Sequence, residues 1–390
     1  MSCSSVIRRR SWLGGGVVIL HAAFWPAFVA AVDPVPSPEA DVAPPLYIGE
    51  PLADGSLAGT PNAVGVDMLP DWPRWFAGAS GLVMTRTLGT GAATMQPLGA
   101  AQLSTGDATP SWPGGVDFHL GRWFGPHQHH AVEFIYWGVY GMGSTAGLTS
   151  VPPNSIEAIP QAAAGVTIAG ESAGSYFIDG GAQSVSRSDL VNDIEINWVY
   201  ALWDRPEFLP RDGAISLMWL AGFRFFQVED VLTLTTVAGS PGLGSADLAV
   251  ATNNNLFGGQ IGAKFDWRFL PRVRFMAVPK FMLAGNSITN TTSLASDTGA
   301  VATFSDGTPV SVHSTLGVFS WLGSIDAGLA WDVTDQWTLS LGYRVVGVGN
   351  IAQADGQWPT LIATPASLTG VSAGSSTIVH GGFAGFEARY

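Results

Sequence analysis

The sequence predicts an all-β chain folded as a transmembrane, up-and-down antiparallel β-barrel of about ten strands, within a range of about eight to twelve. Three observations carry this. The chain is 47% hydrophobic and only 12% charged, where a soluble domain carries about 25% charged residues. Beyond the N-terminus no apolar run reaches the roughly 18 residues that a membrane-crossing helix requires. From Pro73 onward, apolar and polar residues alternate in segments separated by turn-formers, the period of a strand with two different faces. A content of 49 Gly and 15 Trp suits turns, close strand packing and interfacial rings better than helix.

Residues 1–31 read as an export signal: Arg8, Arg9 and Arg10, an apolar stretch from Trp12 to Val29, then Val29 and Ala31 as the small residues before a cut that leaves Val32 first. Arg9-Arg10-Ser11-Trp12-Leu13 also resembles a twin-arginine signal, against the ordinary secretory reading that is preferred. Either route leaves the cytoplasm. The only cysteine, Cys3, lies ahead of the apolar stretch, so the processed chain is expected to hold together without disulfides. Residues 32–72, with Pro34, Pro36, Pro38, Pro44 and Pro45, read as a Pro-rich periplasmic tether. The barrel is expected over 73–390.

The clearest strand is Trp337 to Val346, where Trp337, Leu339, Leu341, Tyr343 and Val345 alternate with Thr338, Ser340, Gly342, Arg344 and Val346. Leu190 to Leu202 repeats the logic, with Ile194, Ile196, Trp198, Tyr200 and Leu202 opposed by Asp193, Glu195 and Asn197. Residues 257–267 set Phe257, Ile261, Phe265 and Trp267 against Gln260, Lys264 and Asp266. Residues 272–283 set Val273, Phe275, Phe281 and Leu283 against Arg272, Arg274 and Lys280. Further strands are expected at 73–86, 115–123, 130–142, 214–228, 317–333 and 377–390. Short links (124–129, 205–213, 269–271, 334–336) alternate with long ones (87–114, 143–189, 229–256, 286–316, 350–376), as periplasmic turns alternate with external loops in outer-membrane barrels. Tyr390 closes the chain with Phe386 on the same face, an aromatic end suited to a final strand at the membrane interface. A secreted β-sandwich or soluble solenoid also alternates; the low charge, absent disulfides and loop-length alternation weigh against it.

The residues from about Pro73 to Tyr390 resemble the planctomycete-type family called putative beta-barrel porin seven. The resemblance rests on Asn254-Asn255-Leu256-Phe257-Gly258-Gly259-Gln260-Ile261-Gly262, on Leu283-Ala284-Gly285-Asn286 and Gly342-Tyr343-Arg344, and on the closing His380-Gly381-Gly382-Phe383-Ala384-Gly385-Phe386-Glu387. It implies an outer-membrane barrel of undetermined substrate and supplies no catalytic residues.

Charges on the non-lipid faces are expected to line the lumen: Asp193, Glu195, Arg224, Lys264, Asp266, Arg272, Arg274, Lys280, Asp326, Asp332, Arg344, Glu387 and Arg389. Both signs occur, so they should pair across the interior or border a thin wet channel. Eight strands or so give an interior that side chains fill, so a wide general pore is not expected of ten. Trp198, Trp219, Trp267, Trp331, Trp337 and Tyr390 are read as an aromatic belt at the lipid headgroups.

Other motifs carry weaker chemistry. Gly170-Glu171-Ser172-Ala173-Gly174 matches a nucleophile elbow but lacks the strand–helix setting and visible acid and histidine partners. His127, His129 and His130 share a predicted turn without a supporting carboxylate, so no metal site is expected. His313 and Asp306 fall in one external loop, as a barrel hydrolase would need, yet without a second convergent pair. No catalytic residue, metal or cofactor is therefore predicted. The formal net charge of −13 becomes −16 once the three signal arginines are removed, and no basic stripe exists, which excludes nucleic acid as a partner. The partners expected are outer-membrane lipids, the barrel assembly machinery through the C-terminal strand, and small solutes. The first functional reading is a narrow pore or passive conduit through a mixed-charge lumen. The second is a structural or surface-binding barrel with a closed lumen and long external loops as its contact face. A hydrolase ranks third.

Overall fold

The computed structural model describes residues 73–95, 102–125, 128–150, 155–162, 164–201 and 214–390. The expected export signal, the tether and the link at 205–213 lie outside the described residues, as does His127. Ten strands form one closed barrel: β1 (Trp75–Arg86), β2 (Gly114–Phe124), β3 (His130–Thr149), β4 (Ala182–Ala201) and β5 (Ile215–Val237). They continue with β6 (Ser245–Leu270), β7 (Val273–Ser296), β8 (Ser311–Asp332), β9 (Trp337–Ile351) and β10 (Ser375–Arg389). Each strand pairs antiparallel with the next in sequence, and β10 returns to β1, with Phe76 opposite Arg389 and Arg86 opposite Val379. Reciprocal backbone bonds between Trp75 and Tyr390, 2.8 and 3.0 Å, finish the seam. Closure gives every stave a partner on both sides through the lower barrel, while at the long-loop end β3 past Val139 and β8 before Trp321 outrun β2 and β9 and pair on one side only.

The strands at the long-loop end run far past their predicted limits. The sequence predicts loops at 229–256 and 286–316, but β5 and β6 continue to a turn at 238–244, while β7 and β8 continue to Ser296 and back from Ser311. The reason is an inversion of pattern within single strands. On β5 the exposed residues Ile215, Trp219 and Phe223 point outward, whereas farther along Leu232 and Leu234 point inward and are fully buried. The inversion falls at Phe225-Phe226, one ring half-buried on the outside and the next buried within. On β6 it falls at Leu256-Phe257, where Leu256 is buried and Phe257 exposed. Backbone geometry is unchanged; what changes is which side of the wall is dry.

The outward face divides accordingly. Ile194, Phe225, Phe257, Gly285 and Phe319 are neighbours in register and form the last apolar row toward the long loops. The next row, Asn192, Gln227, Asn255, Ser287 and Gly317, carries no large apolar side chain. Asn192 Nδ2 donates to Gln227 Oε1 at 3.0 Å and Gln227 Nε2 to Asn253 Oδ1 at 3.3 Å, an amide ladder along that boundary. Beyond it β6 shows Ser245, Asp247, Ala249 and Ala251 outward. A bulge at Tyr140/Met142, built on Gly141 at φ 71°, keeps β3 in register across the same boundary.

The long loops fold over the mouth they surround and pack into it. Met95, Leu103, Ile156, Val166, Phe177, Phe304, Trp358 and Ile362 from the loops join Val185, Leu232, Leu234, Leu248, Val250 and Leu294 from the walls in one buried apolar cluster. Loop knits to loop: residues 161–162 pair in parallel with 361–362, Thr167 and Thr303 exchange backbone bonds of 2.9 and 2.8 Å, and Ile159 N donates to Thr94 O at 2.8 Å.

Candidate functional site

The barrel interior is the site worth building, and β4 serves as its ruler, because alternate residues reach inward along its whole length. From the short-turn end these are Ala201 and Val199, then Asn197, Glu195 and Asp193, then Val191, then Asp189 and Arg187, then Val185, all buried. β5 repeats the order with Met218 and Leu220, Arg224, Phe226 and Val228, Asp230, and finally Leu232 and Leu234. Apolar and charged layers therefore alternate down the lumen.

The charged layer nearer the short turns holds most of the lumen residues expected from sequence. Arg224 Nε meets Asp193 at 2.6 Å and Lys280 Nζ meets Glu195 at 2.8 Å; Lys264 Nζ meets Glu133 at 2.6 Å. Arg344 bridges Asp326 at 2.7 Å on the adjacent strand and Asp117 at 2.8 Å across the lumen. Arg274 pairs with Asp266 at 2.9 Å and with Asp332, Arg268 also reaches Asp332 at 2.8 Å, and Arg389 meets Glu387 at 2.9 Å. His119 Nε2 lies 3.2 Å from Glu387. Gln260 Nε2 donates to Glu195 and Asn197, 2.7 Å each. Such pairing is what buried charge requires, since an uncompensated ion in a low-dielectric interior costs several kcal/mol.

Arg272 departs from the expected set. It shares the parity of Arg274, but β7 starts at Val273, so Arg272 lies exposed in the turn and donates to Val333 O at 3.2 Å. Glu133, Asp117, Arg268 and His119 belong to the layer and were not among the residues singled out from sequence. Their strands do alternate, and following the inward parity of β2, β3 and β6 finds them.

A second charged cluster, missed entirely from sequence, lies under the loop cap. Arg86 contacts Asp189 at 2.7 Å and Asp230 at 2.9 Å; Arg187 contacts Asp230 at 2.7 Å and Asp355 at 2.8 Å, and each of these side chains is at most 2% exposed. Arg187 also donates to Ala108 O at 3.1 Å and Thr105 O at 3.4 Å, and Thr105 hydrogen-bonds Asp355. One guanidinium thus clasps two loops, 87–113 and 352–374, to the wall. The two charged zones are separated by an apolar layer that includes Met84, Trp137, Phe226, Leu256, Met282, Leu322 and Val346.

The aromatic belt residues Trp198, Trp219, Trp267, Trp331, Trp337 and Tyr390 are 45–62% exposed on the outer wall at the short-turn end, with Trp75 beside them. His130 stacks on Trp198, centroids 5.4 Å apart, and His129 is exposed. Among the described residues no group of three or more His, Cys, Asp or Glu side chains is placed to hold a metal ion. Ser172 sits on the second strand of a short hairpin, 167–168 with 171–172, and a one-turn helix (Gly174–Phe177) follows it, which the sequence did not predict. Among the described residues no acid or histidine hydrogen-bonds its hydroxyl. Asp306 accepts hydrogen bonds from the Thr308 hydroxyl and N–H, which hold its carboxyl below the ordinary range, while His313 Nδ1 lies 3.1 Å from the Thr291 hydroxyl. The two do not meet.

The profile of the family described as Putative beta barrel porin-7 matches residues 72–377. No curated protein sequence is significantly similar. Solved structures with a similar course of chain include the outer membrane protease OmpT of Escherichia coli, at TM-score 0.38 and 10% identity over 82% of this chain and 94% of that one. The toluene transporter TodX of Pseudomonas putida follows at TM-score 0.30, 10% identity, 82% and 91%. A FadL homologue of Pseudomonas aeruginosa gives TM-score 0.25, 12% identity, 82% and 90%. Superpositions this loose carry no functional weight.

Proposed function

Since the chain belongs to the Putative beta barrel porin-7 family, we propose that it is an outer-membrane barrel with a closed lumen, whose external loop cap is its working surface, and that it is not an enzyme. The short turns then face the periplasm and the cap faces outward. One observation carries the reading: along a single strand the interior passes from a charge-paired layer through an apolar layer to a clasped loop cap. An ion crossing it would have to lose its water against Met84, Phe226 and Met282, a cost of several kcal/mol without compensating partners. The partners that fit are lipids around the apolar band and whatever meets the cap; assembly through the C-terminal strand accords with the β10–β1 seam.

The test is single-channel recording of the refolded chain in planar bilayers. A silent membrane is expected, with folding confirmed by heat-modifiable migration in detergent gels. Discrete, reproducible conductance steps from unmodified protein would overturn the closed reading in favour of the conduit. The conduit has one observation in its favour, the mixed-charge chamber at the periplasmic end, where a solute path could begin.

A further inference from the structure

Two adjoining cavities of about 160 Å³ each lie inside the short-turn half of the barrel and share Lys264, Arg274, Met276, Val278 and Glu387, so they form one chamber. We propose that this chamber is a binding site for a small apolar carboxylate of about the size of benzoate, held by Lys264. The assignment does not depend on whether the lumen conducts.

The outer compartment reaches the rim, where Pro73 and Arg389 border it, and its body is apolar: Phe76, Trp123, Met218 and Met276 are among its walls. Arg274 is matched by Asp266 and Asp332, and Arg389 by Glu387, whereas the carboxylate that meets Lys264, Glu133, stands in the inner compartment, so the Lys264 ammonium is the cation that the outer compartment itself leaves to a ligand. An ammonium has three donors. Glu133 takes one at 2.6 Å, and the Lys264 side chain keeps 20% of its surface, against 6–10% for Arg274, Lys280, Arg344 and Arg389. Its Nζ also stands 6.0 Å over the Phe76 ring. A cation with spare donors beside an aromatic wall selects a ligand with one anionic end and an apolar body. Size follows from volume, because an apolar cavity of about 150 Å³ admits benzene.

The experiment is fluorine NMR of 4-fluorobenzoate titrated into the full chain folded in detergent, with 4-fluorobenzyl alcohol and 4-fluorobenzylammonium as neutral and cationic counterparts. Saturable binding of the carboxylate is expected, at least tenfold tighter than either counterpart. Lys264→Met should weaken it at least tenfold, and Lys264→Arg should retain it. Because Lys264→Met strands Glu133, a second variant leaves the charges alone: Met218→Trp fills the apolar end and should abolish binding while heat-modifiable migration stays normal. Absence of saturation, equal binding of the alcohol, or binding unaffected by both Lys264→Met and Met218→Trp would each overturn the assignment.

Discussion

Arg187→Ala is expected to destabilise the folded barrel by about 3–5 kcal/mol, the usual cost of removing one partner from a buried ion pair. Arg187 and Arg86 together face three carboxylates, Asp189, Asp230 and Asp355, all sequestered beneath the cap. Without Arg187, only Arg86 remains to offset them, and Asp355 keeps nothing but its neutral hydroxyl partner Thr105. Arg187→Lys preserves the charge, so its loss should be smaller than that of alanine, but one ammonium cannot reproduce the fork in which Nη1 meets Asp230 at 2.7 Å while Nη2 meets Asp355 at 2.8 Å. The measurement is the urea midpoint in detergent micelles, read together with proteinase K cleavage. Cuts should appear first within 87–113 and 352–374, the loops that this guanidinium ties down. A midpoint shift no larger than that of the exposed control Asp306→Ala would remove the clasp from the account of how the lumen is closed.

How much of this was legible depended on which solvent met each wall. Where lipid-facing side chains are apolar and inward ones charged, alternation declared the strands within a few residues: the expected 337–346 is the core of β9, and 190–201 of the expected 190–202 falls in β4. Past Phe225-Phe226 and Leu256-Phe257 the alternation persists with its phase reversed, so strands read for one phase seem to stop there. That is why 229–256 looked like a loop, and why Asp230, Arg187 and Asp189, placed in loops, could not be recognised as interior charges. Asp355 and the apolar cap residues were beyond reach for another reason. Their partners lie far away in sequence, as Asp355 accepting from Arg187 Nη2 at 2.8 Å across 168 positions illustrates, and no local period encodes such a contact. The charges nearer the short turns were easier, since parity alone aims them inward; Arg272 shows the limit, because parity has no meaning once the strand has ended.

The outer wall offers the sharper trial of the membrane assignment. Ile261, 66% exposed in the middle of the apolar band with Ala221 and Phe281 as lateral neighbours, should tolerate arginine poorly. Placing the charge near the bilayer midplane costs about 2–4 kcal/mol in an outer-membrane barrel. Ala249 points outward from the same strand but on the far side of the amide ladder, opposite Thr233 and Ser293, so Ala249→Arg should fall within about 0.5 kcal/mol of the parent, as surface replacements do. Both variants keep the backbone, the strand and the sign of the added charge; they differ only in what surrounds the wall at that height. Urea unfolding from lipid vesicles reads the contrast directly. Equal, small effects at the two positions would mean that water bathes the whole exterior, and the band of Phe, Ile and Trp would then need a protein partner rather than lipid to cover it.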